Sequence, residues 1–220
     1  PINTVKIFND KGADEIIILD ILASKNNQEP NYMLLENILS ECFMPVCYGG
    51  GIDCLETAKK VFDLGVEKIS MKTSLHNTNY RNLINDIAKI YGSQAIVACI
   101  DVKKNLFGNY YIVSNDLKQN YKLDIEKYIK SLAHEGVGEI LLQFVDRDGM
   151  MNGQDLDFIK LITKTSSVPL ITLGGIGNDE NIKMSINAGA DAVAAGSFFV
   201  FTGPHNAVLI SYKNLLNMEL

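Results

Sequence analysis

Three segments of this chain recur at one fixed spacing, and a repeat of that length leaves few folds open. Pro45-Val46-Cys47-Tyr48-Gly49-Gly50-Gly51-Ile52 returns as Pro169-Leu170-Ile171-Thr172-Leu173-Gly174-Gly175-Ile176, an offset of 169 − 45 = 124. At the same 124, Gly65-Val66-Glu67-Lys68-Ile69-Ser70 returns as Gly189-Ala190-Asp191-Ala192-Val193-Ala194, and Glu15-Ile16-Ile17-Ile18 as Glu139-Ile140-Leu141-Leu142. Three blocks in one register, without a slip between them, are the mark of a duplicated half.

Short runs rich in Ile and Val alternate with stretches of helical periodicity such as Leu55-Glu56-Thr57-Ala58-Lys59-Lys60-Val61-Phe62. That alternation is the pattern of βαβ units around a parallel sheet. Strands are predicted at 15–20, 45–49, 67–71, 95–101, 139–145, 168–173 and 192–196. Such units either close into a (β/α)8 barrel or spread into a doubly wound sheet. A duplicated half of four units closes naturally into eight, so the expected fold is α/β, a TIM barrel with an internal twofold half-barrel repeat. The strand ending at Asp101 opens the second half, and its twin would end near 101 − 124 = −23, before Pro1. We therefore expect roughly 30 residues carrying strand one to lie outside this chain. The 220 residues suit one barrel domain, 1–220, and 105–122 reads as a long strand-to-helix excursion.

With 20 Lys and Arg against 26 Asp and Glu, the net charge of −6 leaves no basic field for a nucleic acid. An anion would have to be held locally. The four cysteines, Cys42, Cys47 and Cys99 among them, form no CxxC pair and lack companion histidines, so no metal site is expected. No cofactor is expected either. No apolar run reaches the ~18 residues of a membrane span and no leader pattern is present, so a cytoplasmic protein without membrane contact is expected.

The residues that carry chemistry follow the strands. Gly49-Gly50-Gly51 and Gly174-Gly175 let the backbone approach a ligand closely and suit a phosphate, although a tight turn alone would also use them. The next strand of each half runs into a small hydroxyl residue, Thr73 or Ser197, with Lys72 and Gly196 just before. At the C-terminal face of a barrel these pairs predict two phosphate sites related by a pseudo-twofold. Asp101 ends its strand and is a candidate general acid or base, or else a cap for the following turn. Asp20 could play either part. In Asp146-Arg147-Asp148-Gly149 the first two residues could brace the loop while the Asp148-Gly149 amides face a phosphate. Glu15, Lys68 and Glu139 lie at strand starts, hence at the opposite face. An ion-paired ring plugging the barrel bottom would account for three charges there. His134 and His205 read as surface residues.

The runs Tyr48-Gly-Gly-Gly-Ile52, Gly92-Ser-Gln-Ala95, Gly138-Glu-Ile-Leu-Leu142, Asp146-Arg-Asp-Gly149 and Ala188-Gly-Ala-Asp191 resemble the cyclase subunit of imidazole glycerol phosphate synthase, HisF, over essentially the whole chain. The resemblance implies a (β/α)8 barrel with two phosphate sites that receives ammonia from a glutaminase subunit, HisH. It implies an ammonia gate at Glu15, Lys68 and Glu139, completed by an arginine in strand one. It further implies phosphate ligands at Gly51, Thr73, Asp148, Gly149, Gly175 and Ser197, and a catalytic aspartate at Asp101 whose partner belongs to strand one.

Two departures stand out: Lys72 replaces the family's asparagine at the first phosphate site, and Gln143-Phe144 replaces a Thr-Ser pair facing the substrate. Asn27-Gln-Glu-Pro30, Glu41-Cys-Phe-Met-Pro45 and Phe199-Val-Phe-Thr-Gly-Pro-His205 are more similar to the paralogue associated with glycosyl amidation in bacterial surface-polysaccharide clusters. That similarity implies ammonia delivery for converting a sugar acetamido group to an acetamidino group, with a separate sugar amidotransferase. The alternatives are the histidine-pathway cyclase, acting on a ribulosyl-phosphate nucleotide, and a non-catalytic conduit that activates the glutaminase. Each implies a HisH-like partner, and the two enzymatic ones a phosphorylated or nucleotide-linked substrate.

Overall fold

The computed structural model describes residues 1–72, 78–113, 124–203 and 205–212. In chain order the elements are α1 (Ile2–Asp10), β1 (Ile16–Leu19), α2 (Ile21–Lys25), α3 (Tyr32–Leu39), β2 (Val46–Gly49), α4 (Leu55–Asp63), β3 (Lys68–Lys72) and α5 (Thr78–Tyr91). There follow β4 (Ile96–Lys104), β5 (Tyr110–Ile112), α6 (Ile125–His134), β6 (Glu139–Phe144), α7 (Leu156–Thr165), β7 (Leu170–Leu173), α8 (Asp179–Asn187) and β8 (Ala192–Ala194). A short helix α9 (Ser197–Val200) and a two-stranded antiparallel hairpin, β9 (Phe201–Thr202) with β10 (Ala207–Val208), come last.

The chain divides into two compact units. One takes in Pro1–Met71, Asn82–Ile96 and the chain from Phe199 onward; the other takes in Lys72–Arg81 and Val97–Phe198. In the first unit β1, β2 and β3 pair in parallel, and in the second β4, β6, β7 and β8 do the same. Parallel strands joined through helices make this an α/β protein with the alternation of a TIM barrel.

The repeat is written into both units. β2 and β7 share their bounds at an offset of 170 − 46 = 124, and so do α4 and α8 at 179 − 55 = 124. The hydrogen bonds repeat as well. Glu67 Oε2 accepts from Val46 N at 2.7 Å, and its mate Asp191 Oδ2 accepts from Leu170 N at 2.8 Å. Ile16 N donates to Pro45 O at 3.0 Å, and Ile140 N to Pro169 O at 2.9 Å. Helix starts are set by side-chain caps: Asp20, Asn31, Asp124, Asp155 and Asn178 each accept from the amide three residues on. Cys54 holds the place of Asn178 in the first half and makes no such cap.

Parallel register sorts the side chains into two faces, because paired residues point the same way and alternate along each strand. In the first unit Ile17, Cys47 and Lys68 share a face, with Leu19, Gly49 and Ser70 two residues further on. Ile16 and Ile18 face the helices and pack on the cluster of Val5, Ile38 and Met44. In the second unit Asp101, Gln143 and Leu173 share a face, while Phe144 points to the other side, fully buried. There Tyr110 stacks on Phe158 with centroids 3.9 Å apart, and Phe144 meets both rings edge-on.

Three expectations change. Asp101 does not end its strand, since β4 runs on to Lys104. Part of the supposed excursion is an antiparallel hairpin, with β5 paired to β4; its turn is held by Asn105 Oδ1, which accepts from Phe107 N and Asn109 N. Of the Gln143-Phe144 pair, only Gln143 shares the face of Asp101. No helix among the described residues is long and apolar enough to cross a membrane.

Candidate functional site

The starts of the strands carry the first group of charges. Lys68, the first residue of β3, donates from Nζ to Glu15 Oε2 at 2.9 Å, and both side chains are largely buried. The other Glu15 oxygen is buried with no hydrogen-bond partner among the described residues. Glu139 is the first residue of β6, half-buried. Thus the three residues occupy the strand starts expected of them, and two of them form an ion pair. Within β3 the alternation puts Lys68, Ser70 and Lys72 on one face. Ser70 is buried, and its hydroxyl has no partner among the described residues.

Toward the strand ends, Lys72 Nζ meets Asp101 Oδ2 at 2.6 Å. Asp101 is buried and Lys72 reaches solvent. Asp101 therefore caps no turn, and Lys72 gives its charge to this carboxylate. Behind them Cys99 lies with Sγ 3.7 Å from Asp101 Oδ1. Burial, reinforced by the Asp101 charge, pushes that thiol up to about 12, so it stays protonated and inert. Asp20 turns out to be a helix cap, accepting from Ala23 N at 3.0 Å.

The glycine turns stand where the sequence places them, directly after β2 and β7. Gly50 and its mate Gly174 have φ of +135° and +98°, and a Cβ on either would be driven into the carbonyl of another pair of mates, Asp20 and Phe144. Here glycine is demanded by backbone meeting backbone. The Gly51 amide is already engaged, donating to Ser24 Oγ at 3.2 Å. In the second unit Gly175 O accepts from Gly153 N at 2.7 Å, and Arg147 Nη1 donates to Gly153 O at 2.9 Å. Arg147 therefore braces the Gly153 loop, not Asp146. Gly149 and Ser197 come together, the Ser197 hydroxyl lying 4.0 Å from where a Cβ on Gly149 would stand. Asp148 and Gly196 are exposed, and a Cβ on Gly196 would meet nothing, which leaves room beside Ser197. Thr73 lies outside the described residues.

A buried polar cluster underpins this turn. Gln154 Oε1 accepts from Thr172 Oγ1 at 2.8 Å and from Ser185 Oγ at 2.7 Å, while its Nε2 donates to Gly174 O at 3.2 Å. Sequence reasoning missed Gln154 because its partners come from β7, α8 and the glycine turn, with no local pattern. Beside it Asp155 accepts from Lys104 Nζ at 2.7 Å and from the Tyr110 hydroxyl at 2.8 Å, tying the β4–β5 hairpin to the start of α7. Burial raises the Asp155 carboxyl, but those hydrogen bonds outweigh it and leave it below its ordinary range. No three His, Cys, Asp or Glu side chains among the described residues gather as a metal ion would require. His134 and His205 are exposed.

With this geometry in hand, comparison with known proteins is direct. The family described as "Histidine biosynthesis protein" matches residues 1–205. The hisF2 protein of Pseudomonas aeruginosa is 44% identical over 221 residues, covering 100% of this chain and 87% of its own length. The HisF protein of Leptospira borgpetersenii is 44% identical over 222 residues, covering 100% of this chain and 86% of its own. The imidazole glycerol phosphate synthase subunit HisF of Streptomyces coelicolor is 32% identical over 201 residues, covering 91% of this chain and 79% of its own. The repeat, the parallel α/β fold, the match along nearly the whole chain and these identities agree: this chain belongs to the HisF family of histidine biosynthesis proteins.

Proposed function

We propose that this chain is the ammonia-accepting synthase subunit of a two-subunit glutamine amidotransferase, working with a HisH-like glutaminase on a phosphorylated or nucleotide-linked small molecule. One observation carries the reading: β3 starts in a lysine paired to Glu15 and ends in a lysine paired to Asp101. We assign the ammonia gate to Glu15, Lys68 and Glu139. Along β3 the chain rises about 13 Å between Lys68 and Lys72 at ~3.3 Å per residue, and the Ser70 hydroxyl on the same face has no partner among the described residues. Asp101 acts as the general base that takes a proton from the incoming nitrogen. Phosphate groups are held by Gly50, Gly51, Lys72 and Thr73 in the first half and by Asp148, Gly149, Gly174, Gly175, Gly196 and Ser197 in the second.

Of the two substrates in view, amidation of a surface-polysaccharide sugar, acetamido to acetamidino, is the one we favour. Lys72 and Gln143 alter the end of the strands where a substrate would sit, whereas the Lys68–Glu15 pair is kept. The names of the relatives favour the other substrate, the ribulosyl-phosphate nucleotide of imidazole glycerol phosphate synthesis. Complementation separates them. The gene is placed in a strain lacking its histidine-pathway cyclase and plated without histidine; we expect no growth, and robust growth would overturn the polysaccharide assignment.

A further inference from the structure

Lys72 and Asp101 form an unequal ion pair toward the strand ends of the second unit. The Lys72 side chain is 38% exposed and that of Asp101 12%, and their Nζ–Oδ2 separation is 2.6 Å. Apart from the thiol of Cys99, a weak donor at 3.7 Å, Lys72 supplies the one side-chain donor that Asp101 receives among the described residues. A carboxylate this enclosed needs a partner to offset its desolvation. The lysine is under no such constraint: its ammonium is a compact charge on a flexible stem that reaches solvent and can change partners. A dianionic phosphate arriving beside it competes strongly for that charge.

We propose that Lys72 is an anion-operated latch on Asp101. With the latch closed the ammonium occupies Oδ2, as in this structure. When a phosphate-bearing substrate enters, the ammonium swings to the phosphate and Oδ2 is released. The incoming nitrogen's lone pair forms the C–N bond as the π pair of the substrate carbonyl moves to its oxygen; the positively charged nitrogen then loses a proton, its N–H pair staying on nitrogen and the proton binding Oδ2. Base catalysis is thereby tied to substrate occupancy, so ammonia reaching an empty site finds no free base. The latch rests on the reading of these strand ends as an anion-binding mouth. It makes Lys72 a positioning residue that acts through Asp101.

The experiment is carbon-detected NMR on the whole chain at fixed pH 7.5, following the Asp101 Cγ resonance and the amides of Gly50 and Gly51, the glycines assigned to the same phosphate site as Lys72, while inorganic phosphate is added. The wild type should show the Asp101 resonance move together with the glycine amides. Lys72→Met should show an Asp101 resonance already displaced and no longer responsive to phosphate, and Lys72→Arg, which keeps the charge, should restore the response. If the glycine amides move while Asp101 stays still in the wild type, the latch is wrong and the anion site stands. If Asp101 responds equally in wild type and Lys72→Met, Lys72 is not the agent and the latch is equally wrong. If neither resonance responds, the anion-binding reading and the latch fall together.

Discussion

Replacing Gln154 by methionine removes the hub of the polar cluster behind the Gly174 turn while nearly keeping the side-chain volume, so the cavity contribution is small. Three hydrogen bonds are lost, but their costs differ. Ser185 Oγ keeps a second acceptor, Asn181 O at 3.0 Å, and is not orphaned. Thr172 is fully buried, and its hydroxyl and the Gly174 carbonyl lose the partner the cluster gave them. At about 1–3 kcal/mol for each buried group left unsatisfied, Gln154→Met costs about 2–6 kcal/mol. That is a large share of the roughly 5–15 kcal/mol that holds a domain together. Urea unfolding followed by circular dichroism measures it, with an unchanged m-value showing that the unfolding surface is the same. Adding Thr172→Val removes one of the orphans, so the double variant should lie about 1–3 kcal/mol above the sum of the singles. A single-variant cost under about 1 kcal/mol, or strict additivity with Thr172→Val, would refute the hub. Because the cluster grips Gly174 O, Gln154→Met should also weaken phosphate binding at that turn.

Gly174→Ala places a Cβ 2.6 Å from Phe144 O at a φ of +98°. Strain of about 1–3 kcal/mol before any clash, at about 2–4 °C per kcal/mol, should lower the melting midpoint by several degrees; an unchanged midpoint would mean the turn is not locked. The Asp155 carboxyl lies below its ordinary value of 3.8 in the folded protein. It therefore stabilises the fold at pH values above that ordinary value, and the contribution fades as pH falls through the lowered native value. The gap in urea midpoint between wild type and Asp155→Asn should be constant from pH 7 to about 5 and close progressively below about 4; a gap that widens on acidification would contradict the sign. Lys68→Met leaves Glu15 without its cation and should let glutamine hydrolysis by the glutaminase continue while product per glutamine falls. Unchanged coupling would remove Lys68 from the gate.

Much of this fold is legible because duplication writes it twice. The bounds of β2 and β7, and of α4 and α8, agree at the 124 spacing, and Glu67 and Asp191 make the same bond to the strand before them. Errors of a residue or two arise where local chemistry intervenes. β7 starts at Leu170, just after Pro169, which has no N–H to give a ladder. β8 stops at Ala194, short of the predicted 196, because the chain turns through Gly196 into α9. The β4–β5 hairpin was masked by its polar setting, although Asn105 and Gly108 are turn residues and Tyr110-Tyr111-Ile112 has strand character.

The candidate site was legible in position but not in pairing. Strand starts and ends located Lys68, Glu15 and the glycine turns, whereas Asp101 lies within β4. What no periodicity reveals is that Lys72, 29 residues from Asp101 in the chain, gives its charge to that carboxylate. Nor does it reveal that Ser24 fills the Gly51 amide from 27 residues away. Such pairings follow from the packing of separate strands and helices.

The central claim is that ammonia released from glutamine is transferred by this chain and not lost to solvent. The direct measurement combines the chain with its HisH-like glutaminase, [amide-15N]glutamine, and either a nucleotide-linked acetamido sugar with its amidotransferase or the ribulosyl-phosphate nucleotide. NMR then locates the 15N. The account predicts 15N in the organic product of one of the two substrates, in a yield that falls with Lys68→Met and with Asp101→Asn. Recovery of all the 15N as free ammonium with both substrates would contradict it.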